Sequence, residues 1–493
     1  MSRPPFVSVH IQSAAPGRRV AAADIVEAYA REIRAGRIPA GCRLPPVRVL
    51  ERQLGLSKNT AQAAYDELAA RGLLHGRPRE GVFVAAADGV SPSPPPVAQP
   101  PLPALKPVPD MFASPPREGT LRLSSAFIDP ELLPREALLD CFRSVLRQPG
   151  LEPFYDHQGH PPLRAAIAQR LGRRGMEVRP EQVILTVGSQ QAIDIVSRSL
   201  TVGRMATEDP VYPYGRALLE RNGIERVPLP LDPFAGIDLD AWEQIVARRR
   251  PSLLYAITSF QNPTGYSYSS HELAGLLALA QRHGLALLED DWGSDMLPDS
   301  EYRPSLRLLG GANVLYMNSF TKKLWPALRI GYLVAPEPLV PTLVAAKRLS
   351  TLGSPPLLEA TLAEFLDRGY YDTHLDRLQA ELDQRYQACL TTLREVMPPE
   401  VRWTTPGGGP TLWLDLPRSV DLGRLRQALA ARWIDIEDAS VAFPDAGHLH
   451  GFRISYAYAP MADVRRALLA VAEELQGQLQ QPGRPREARA IRA

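Results

Sequence analysis

Lysine is scarce in this chain of 493 residues: there are five, against 51 arginines. Cationic duty has passed to arginine, so a lysine kept inside an apolar run points to chemistry rather than solvation. Cysteine is scarcer still. Cys42, Cys141 and Cys389 lie far apart and are odd in number, which argues against a disulfide framework and a metal knuckle and for a reducing cytoplasm. No apolar run approaches the ~20 residues of a membrane span. Met1-Ser2-Arg3-Pro4-Pro5 leads straight into polar sequence, without the basic-then-apolar pattern of an export signal. No internal repeat is found. With 45% hydrophobic and 22% charged residues the chain reads as a soluble globular protein, long enough for two or three domains.

The net charge of +2 hides an asymmetry: residues 1–85 carry 13 Lys and Arg against 7 Asp and Glu, and the remainder 43 against 47. A small basic head on a mildly acidic body suggests a polyanion partner for the head alone. Composition divides the chain further. Residues 18–85 are Ala-rich and periodic. Residues 86–118 are dense in proline, as in Ser91-Pro92-Ser93-Pro94-Pro95-Pro96, and read as a semi-rigid linker. Residues 119–476 alternate strand-like and helical segments. The tail, 477–493, reads as disordered.

In the head, Ile25, Tyr29 and Ile33 recur at helical spacing up to Gly36. Pro45-Pro46 opens a second helix that closes at Gly55, and Ser57 caps a third that starts Lys58-Asn59-Thr60. Two short helices joined through a glycine turn fit a helix-turn-helix. Leu73 to Val84 follows as strand, basic turn and strand, the wing of a winged helix. The segment from Gly41 to Val84 resembles the GntR regulators. That resemblance implies DNA contacts by Arg48, Ser57, Lys58, Asn59 and Thr60, with Arg77 and Arg79 near the minor groove. Pro46 and Val47 stand where that family usually has small polar residues.

In the body, apolar runs such as 183–187, 253–257, 285–288 and 314–317 alternate with amphipathic stretches such as 239–249 and 271–283. This pattern predicts a mostly parallel α/β sheet, whose ligands bind beyond the strand C-terminal ends. The loops there are informative. Gly188-Ser189-Gln190 opens a helix, a phosphate cradle. Tyr212 follows Glu208-Asp209-Pro210-Val211 and offers a ring for stacking. Asn262 is held by Pro263-Thr264-Gly265 and can bond a ring hydroxyl. Asp290 ends a strand, placed to pair with a pyridinium nitrogen. The run Ser319-Phe320-Thr321-Lys322-Lys323, with Arg329 seven residues after Lys322, holds a Schiff-base amine, two hydroxyls and a fixed cation. Lys323 competes with Lys322, and the spacing to Arg329 favours Lys322.

Five such loops in this order resemble the fold-type I aminotransferases that use pyridoxal 5′-phosphate (PLP). The resemblance covers about residues 120–475 and implies a large and a small subdomain. It assigns the internal aldimine to Lys322, the pyridine nitrogen to Asp290, the 3-oxygen to Asn262 and ring stacking to Tyr212. Ser189, Gln190, Ser319, Thr321 and Arg329 hold the phosphate, and Tyr155 reaches the phosphate of a partner subunit. A homodimer follows, arranged head to tail with swapped domains. Arg453 holds a substrate or effector carboxylate. Trp292 stands where these proteins usually carry a tyrosine on the 3-oxygen; its indole donates one bond and accepts none. Residues 125–129, Ser-Ala-Phe-Ile-Asp, replace the usual Gly-x-Pro loop over the substrate. Head, linker and body together resemble the MocR subfamily of GntR-type bacterial regulators. The expectation is a cytoplasmic, PLP-binding regulator that binds an operator and senses PLP or an amino compound at Lys322. The alternative is a working aminotransferase with an appended DNA-binding domain.

Overall fold

The computed structural model describes residues 6–9, 11, 20–78, 80–85, 118–149, 156–298, 303–437 and 447–480. Arg79, Tyr155, the linker up to residue 117 and the tail beyond 480 lie outside the described residues. The chain divides into two compact units, Met1–Pro107 and Val108–Ala493.

In the first unit, α1 (Ala22–Arg34), α2 (Val47–Leu54) and α3 (Lys58–Ala70) precede the antiparallel pair β1 (Leu74–Arg77) and β2 (Gly81–Val84). The expected punctuation is present. Pro46 caps α2, which ends at left-handed Gly55 (φ 65°), and Ser57 Oγ accepts the Thr60 N–H at 3.1 Å. Ile25, Tyr29, Leu50, Ala64, Tyr65 and Leu68 form the core. The Tyr65 hydroxyl donates to the Pro45 carbonyl at 2.8 Å, tying α3 to the turn before α2. The head begins earlier than residue 18: Val7 N–H donates to the Arg43 carbonyl at 3.0 Å and Ile11 is buried in the same core.

The second unit is built on an eight-stranded sheet. Its strands are β3 (Val183–Thr186), β4 (Arg204–Asp209), β5 (Glu225–Asp232), β6 (Gly236–Ile237), β7 (Leu253–Ala256), β8 (Ala286–Asp290), β9 (Leu315–Ser319) and β10 (Gly331–Val334). Their order is β3-β10-β9-β8-β7-β4-β5-β6. All are mutually parallel except β10, antiparallel to both neighbours, and the edge strand β6. β3, β7, β9 and β10 are buried at every residue, because helices cover both faces. One core lies between β3, β9, β10 and helix α4 (Ser189–Ser199). Another packs Trp242, Leu273 and Leu276 against Ala206, Val227 and Leu254.

The small subdomain is the antiparallel sheet β11 (Arg402–Trp403), β12 (Thr411–Asp415) and β13 (Gly451–Ser455). Helix α5 (Tyr370–Val396) joins the two subdomains: Tyr371, Leu375 and Leu378 enter the large core, and Cys389, Leu390 and Leu393 the small one. The last helix, α6 (Met461–Leu479), buries Leu468 and Leu475, so order continues past the expected break at 477. No described helix is long and apolar enough to cross a membrane.

Candidate functional site

The parallel strands bring their C-terminal ends to one edge of the sheet. β3 delivers Gly188 and Ser189, β4 Tyr212, β7 Asn262, β8 Asp290 and β9 Lys322. β10 runs the other way, so the residue just before it, Arg329, arrives at the same edge. Glycine is demanded twice, at Gly331 by close backbone approach and at Gly188 by its positive φ of 74°. A Cβ on Gly331 would lie 2.9 Å from the Asn318 carbonyl and from Gly188 Cα, and one on Gly188 would lie 2.9 Å from Arg329 Nη2. Arg329 Nη2 donates to the Val187 carbonyl at 3.2 Å, which parks the guanidinium over the start of α4. The first-turn amides of α4 have no acceptor within the helix.

Adjacent lysines have opposite fates. Lys323 is 1% exposed, and its Nζ donates to Asp295 at 2.5 Å and Asn318 at 2.6 Å. Burial would raise the Asp295 carboxyl, but Lys323, Arg174 and Arg170 outweigh it and hold it down at about 2. Lys322 has no hydrogen bond or ion pair among the described residues. Its Nζ sits 3.7 Å from the centre of the Phe127 ring. Burial pushes its pKa down to about 7, and Arg453 and Arg329 push the same way against Glu437. This amine is half neutral near physiological pH; that of Lys323 is committed to the core.

Asp290 is buried, and its Oδ2 accepts from the Tyr255 hydroxyl at 2.9 Å. Its Oδ1 is buried without a partner. Burial raises this carboxyl to about 7, with Tyr255 and Lys323 opposing and Asp291 adding to the rise. Asn262 Oδ1 accepts from Arg453 Nη1 at 2.5 Å. The loop that carries it is pinned by buried Glu208, which accepts from Ile257 N–H at 2.9 Å, Gln261 Nε2 at 3.0 Å and Tyr268 Oη at 2.7 Å. Tyr212 is half-buried within the electrostatic reach of Asp290, Arg329 and Arg453. Ser319 Oγ accepts the Thr321 N–H at 3.1 Å, and Thr321 Oγ1 is buried without a partner.

Two expected contacts are spent elsewhere. Trp292 Nε1–H, its single donor, goes to the Phe260 carbonyl at 3.1 Å. The Gln190 amide donates to the Tyr214 carbonyl at 3.1 Å, leaving Oε1 buried and unpartnered. Tyr255, Ser124 and Glu437 join the site without having been singled out, and Phe127 enters it from the 125–129 segment noted in the sequence. The tyrosine in an otherwise aliphatic strand was a usable signal; Glu437 gave none, because long-range packing alone brings it to Arg453.

An amine near neutrality, a buried carboxyl with an orphaned oxygen, and a hydroxyl-lined helix start beside a fixed guanidinium make a coherent donor set for PLP. The residues present therefore fit that group.

In the head, Arg48, Ser57, Lys58 and Asn59 are exposed and Thr60 half-buried at the start of α3 and on α2. Ser57 and Thr60 also pair their hydroxyls at 2.8 Å. The exposed Arg77 guanidinium lies 4.6 Å from the Phe83 ring centre and 3.8 Å from the Glu80 carboxylate.

Comparison with known proteins agrees with both halves. Residues 128–471 match the family model of class I and II aminotransferases, and residues 21–84 that of the bacterial regulatory proteins of the gntR family. The chain is 34% identical over 394 residues to the probable rhizopine catabolism regulatory protein MocR of Rhizobium meliloti, covering 75% of this chain and 76% of that protein. The chain belongs to the MocR subfamily: a GntR-type DNA-binding head fused to a class I and II aminotransferase body. The 2-aminoadipate transaminase of Thermus thermophilus is 32% identical over 372 residues, covering 74% of this MocR-type chain and 92% of the transaminase. The crystal structure of that organism's α-aminoadipate aminotransferase LysN, complexed with N-(5′-phosphopyridoxyl)-L-leucine, superposes with a TM-score of 0.68, covering 73% of this chain and 93% of that one. The HTH-type regulator TauR of Rhodobacter capsulatus is 30% identical, covering 90% of this chain and 94% of TauR. This last relative spans head and body together.

Proposed function

We propose that this protein is a cytoplasmic, PLP-binding transcriptional regulator, whose body senses PLP or an amino compound at Lys322 and whose head binds operator DNA. The observation that carries the reading is the unpaired Lys322 amine, near neutrality, among the loops that converge at the strand ends. PLP bound there supplies an aldehyde carbon and an electron-withdrawing ring. Lys322 gives up its proton near pH 7 and offers the amine. Asp290, raised by burial, is stabilised as a carboxylate when a cation approaches its free Oδ1. Asn262 orients through Arg453 and has its amide N–H groups to offer. Ser189, Ser319, Thr321 and the Arg329 guanidinium form the anion-holding end, joined by backbone rather than side chain at Gln190. Tyr212 supplies a flat apolar wall, and Trp292 contributes bulk, not a hydrogen bond.

In the head, Lys58, Asn59 and Thr60 start a recognition helix for the major groove, with Arg48, Ser57 and the wing arginines Arg77 and Arg79 on phosphates and the minor groove. A homodimer, head to tail, completes the phosphate site through Tyr155. Ligand control requires different ligand affinities in the two DNA-binding states.

Binding to the DNA upstream of the protein's own gene, at fixed salt with and without PLP, tests this reading. Tight binding altered by PLP is the expected result. Tight binding indifferent to PLP moves the search to amino compounds. The similarity to a 2-aminoadipate transaminase favours a second reading, a working aminotransferase; turnover of an amino acid with a keto acid, lost in Lys322→Ala, would establish it.

A further inference from the structure

The end of the site opposite Lys322 is already filled by the chain itself. Arg453 is 7% exposed on β13. Its Nε and Nη2 donate to the Ser124 carbonyl at 3.1 and 2.7 Å, and its Nη1 donates to Asn262. Glu437 Oε2 stands 2.9 Å from Nη2, with both side chains less than one-sixth exposed. The pair is ionic by distance but lies off a hydrogen-bonding direction, since that oxygen has no hydrogen bond of its own. Ser124 locks the arrangement. Its Oγ donates to the Arg453 carbonyl at 2.6 Å and accepts the Glu437 N–H at 3.1 Å. Three residues on, Phe127 covers the Lys322 amine.

A guanidinium binds a carboxylate strongly when its donors are free to form a paired fork. Here most of the fork is spent on neutral acceptors, and the charge is already answered. An incoming carboxylate must displace Glu437 or sit beside it, and two carboxylates at one buried guanidinium repel. Expelling Glu437 breaks its close pairing with Arg453. A ligand with no carboxylate meets neither cost and leaves the pair whole.

We propose that Glu437 is the specificity-determining residue of this site: it is an internal carboxylate for Arg453, and it selects primary amines that lack an α-carboxylate over α-amino acids. This rests on the reading of Lys322 as the amine-exchange point, and it gives that reading a substrate class. Ser124 is the positioning residue that holds Glu437 in place. Phe127 suits an apolar chain on the amine.

The test uses the full chain loaded with PLP and a matched pair, pentylamine and L-norleucine, which differ only by the carboxylate. Exchange at Lys322 is followed by the change in the cofactor absorption band. The wild type is expected to respond to pentylamine at about tenfold lower concentration than to norleucine, and Glu437→Gln to shift that ratio toward norleucine by about tenfold or more, chiefly through norleucine. Glu437→Ala, with folding checked by thermal melting, repeats the comparison without the amide. A norleucine preference in the wild type, or a ratio unmoved in both variants, overturns the proposal. A second readout needs no cofactor: hexanoate is expected to raise the melting temperature of Glu437→Gln and not of the wild type, and equal shifts count against Glu437. If PLP gives no band at all, the Lys322 reading fails, and the hexanoate arm still decides the role of Glu437.

Discussion

The two halves of this protein place their candidate chemistry on opposite sides of the solvent boundary. In the head, Arg48, Lys58, Asn59 and Arg77 stand in water, and none is needed by the core. In the body, Asp290, Thr321, Lys323 and Arg453 are all under one-tenth exposed. An exposed cation acts through screened, additive attraction to phosphate. A buried amine or carboxyl acts through a dry environment that resets its pKa and punishes an unpaired charge. The head should therefore yield graded, salt-dependent effects without loss of stability, and the body abrupt ones.

The largest effect is expected at Lys322. Lys322→Ala removes the amine that has no hydrogen bond or ion pair among the described residues, and the absorption band formed on adding PLP should vanish while the melting temperature holds. Lys323→Met does the reverse. It strands Asp295 without its lysine in the core, and breaking such a pair costs about 3–5 kcal/mol, readable in denaturant unfolding. If Lys323→Met kept its stability and lost the band, the two lysines would have been assigned the wrong way round. Asp290→Asn comes next. Loss of a charge-assisted bond to a ring nitrogen should weaken PLP retention about ten- to hundredfold. The rate of PLP capture should depend on pH as the Lys322 amine does. With its pKa lowered to about 7, the neutral form dominates above that value and capture is flat there. Below it, capture falls about tenfold per unit. Asp290 titrates in the same range, so an unchanged profile in Asp290→Asn assigns the dependence to the lysine.

The same boundary decides what could be read in the sequence. The head's helices are local: Ser57, Gly55 and Pro46 each act within a turn of themselves, and the spacing of Ile25, Tyr29 and Ile33 is visible at sight. The body's strands were equally plain, because β7 and β9 are buried on both faces, so β7 reads as an unbroken apolar run and β9 as one up to Met317. The loop residues Ser189, Asn262, Asp290 and Lys322 were legible by position after those strands. What escaped depends on where bonds go once the loops meet. Nothing in the sequence sends the Trp292 indole to the Phe260 carbonyl, or brings Glu437 across more than 300 residues to the Ser124 hydroxyl. Those are tertiary contacts between irregular segments, where neither period nor propensity carries information. Between Lys322 and Lys323 the sequence offers only the spacing to Arg329, since both stand in one run; the different burial and partners of the two amines are tertiary.

The smallest effects are expected on the head, and they sharpen the contrast. Arg48→Ala should weaken operator binding and lower the slope of log affinity against log salt by about one, as for one lost phosphate contact. Melting temperature and PLP capture should not move. Arg77→Ala should do less. Glu80 stands 3.8 Å away and already takes part of its charge, and the Phe83 ring holds its guanidinium against the wing. Its contribution is then shape in the minor groove more than counterion release, and its salt slope should stay near wild type. A larger salt-slope change for Arg77→Ala than for Arg48→Ala would place the wing, not α2, on the phosphates. A stability loss in either variant would mean that the head, like the body, binds its chemistry into its core, and the division drawn between the halves would fail.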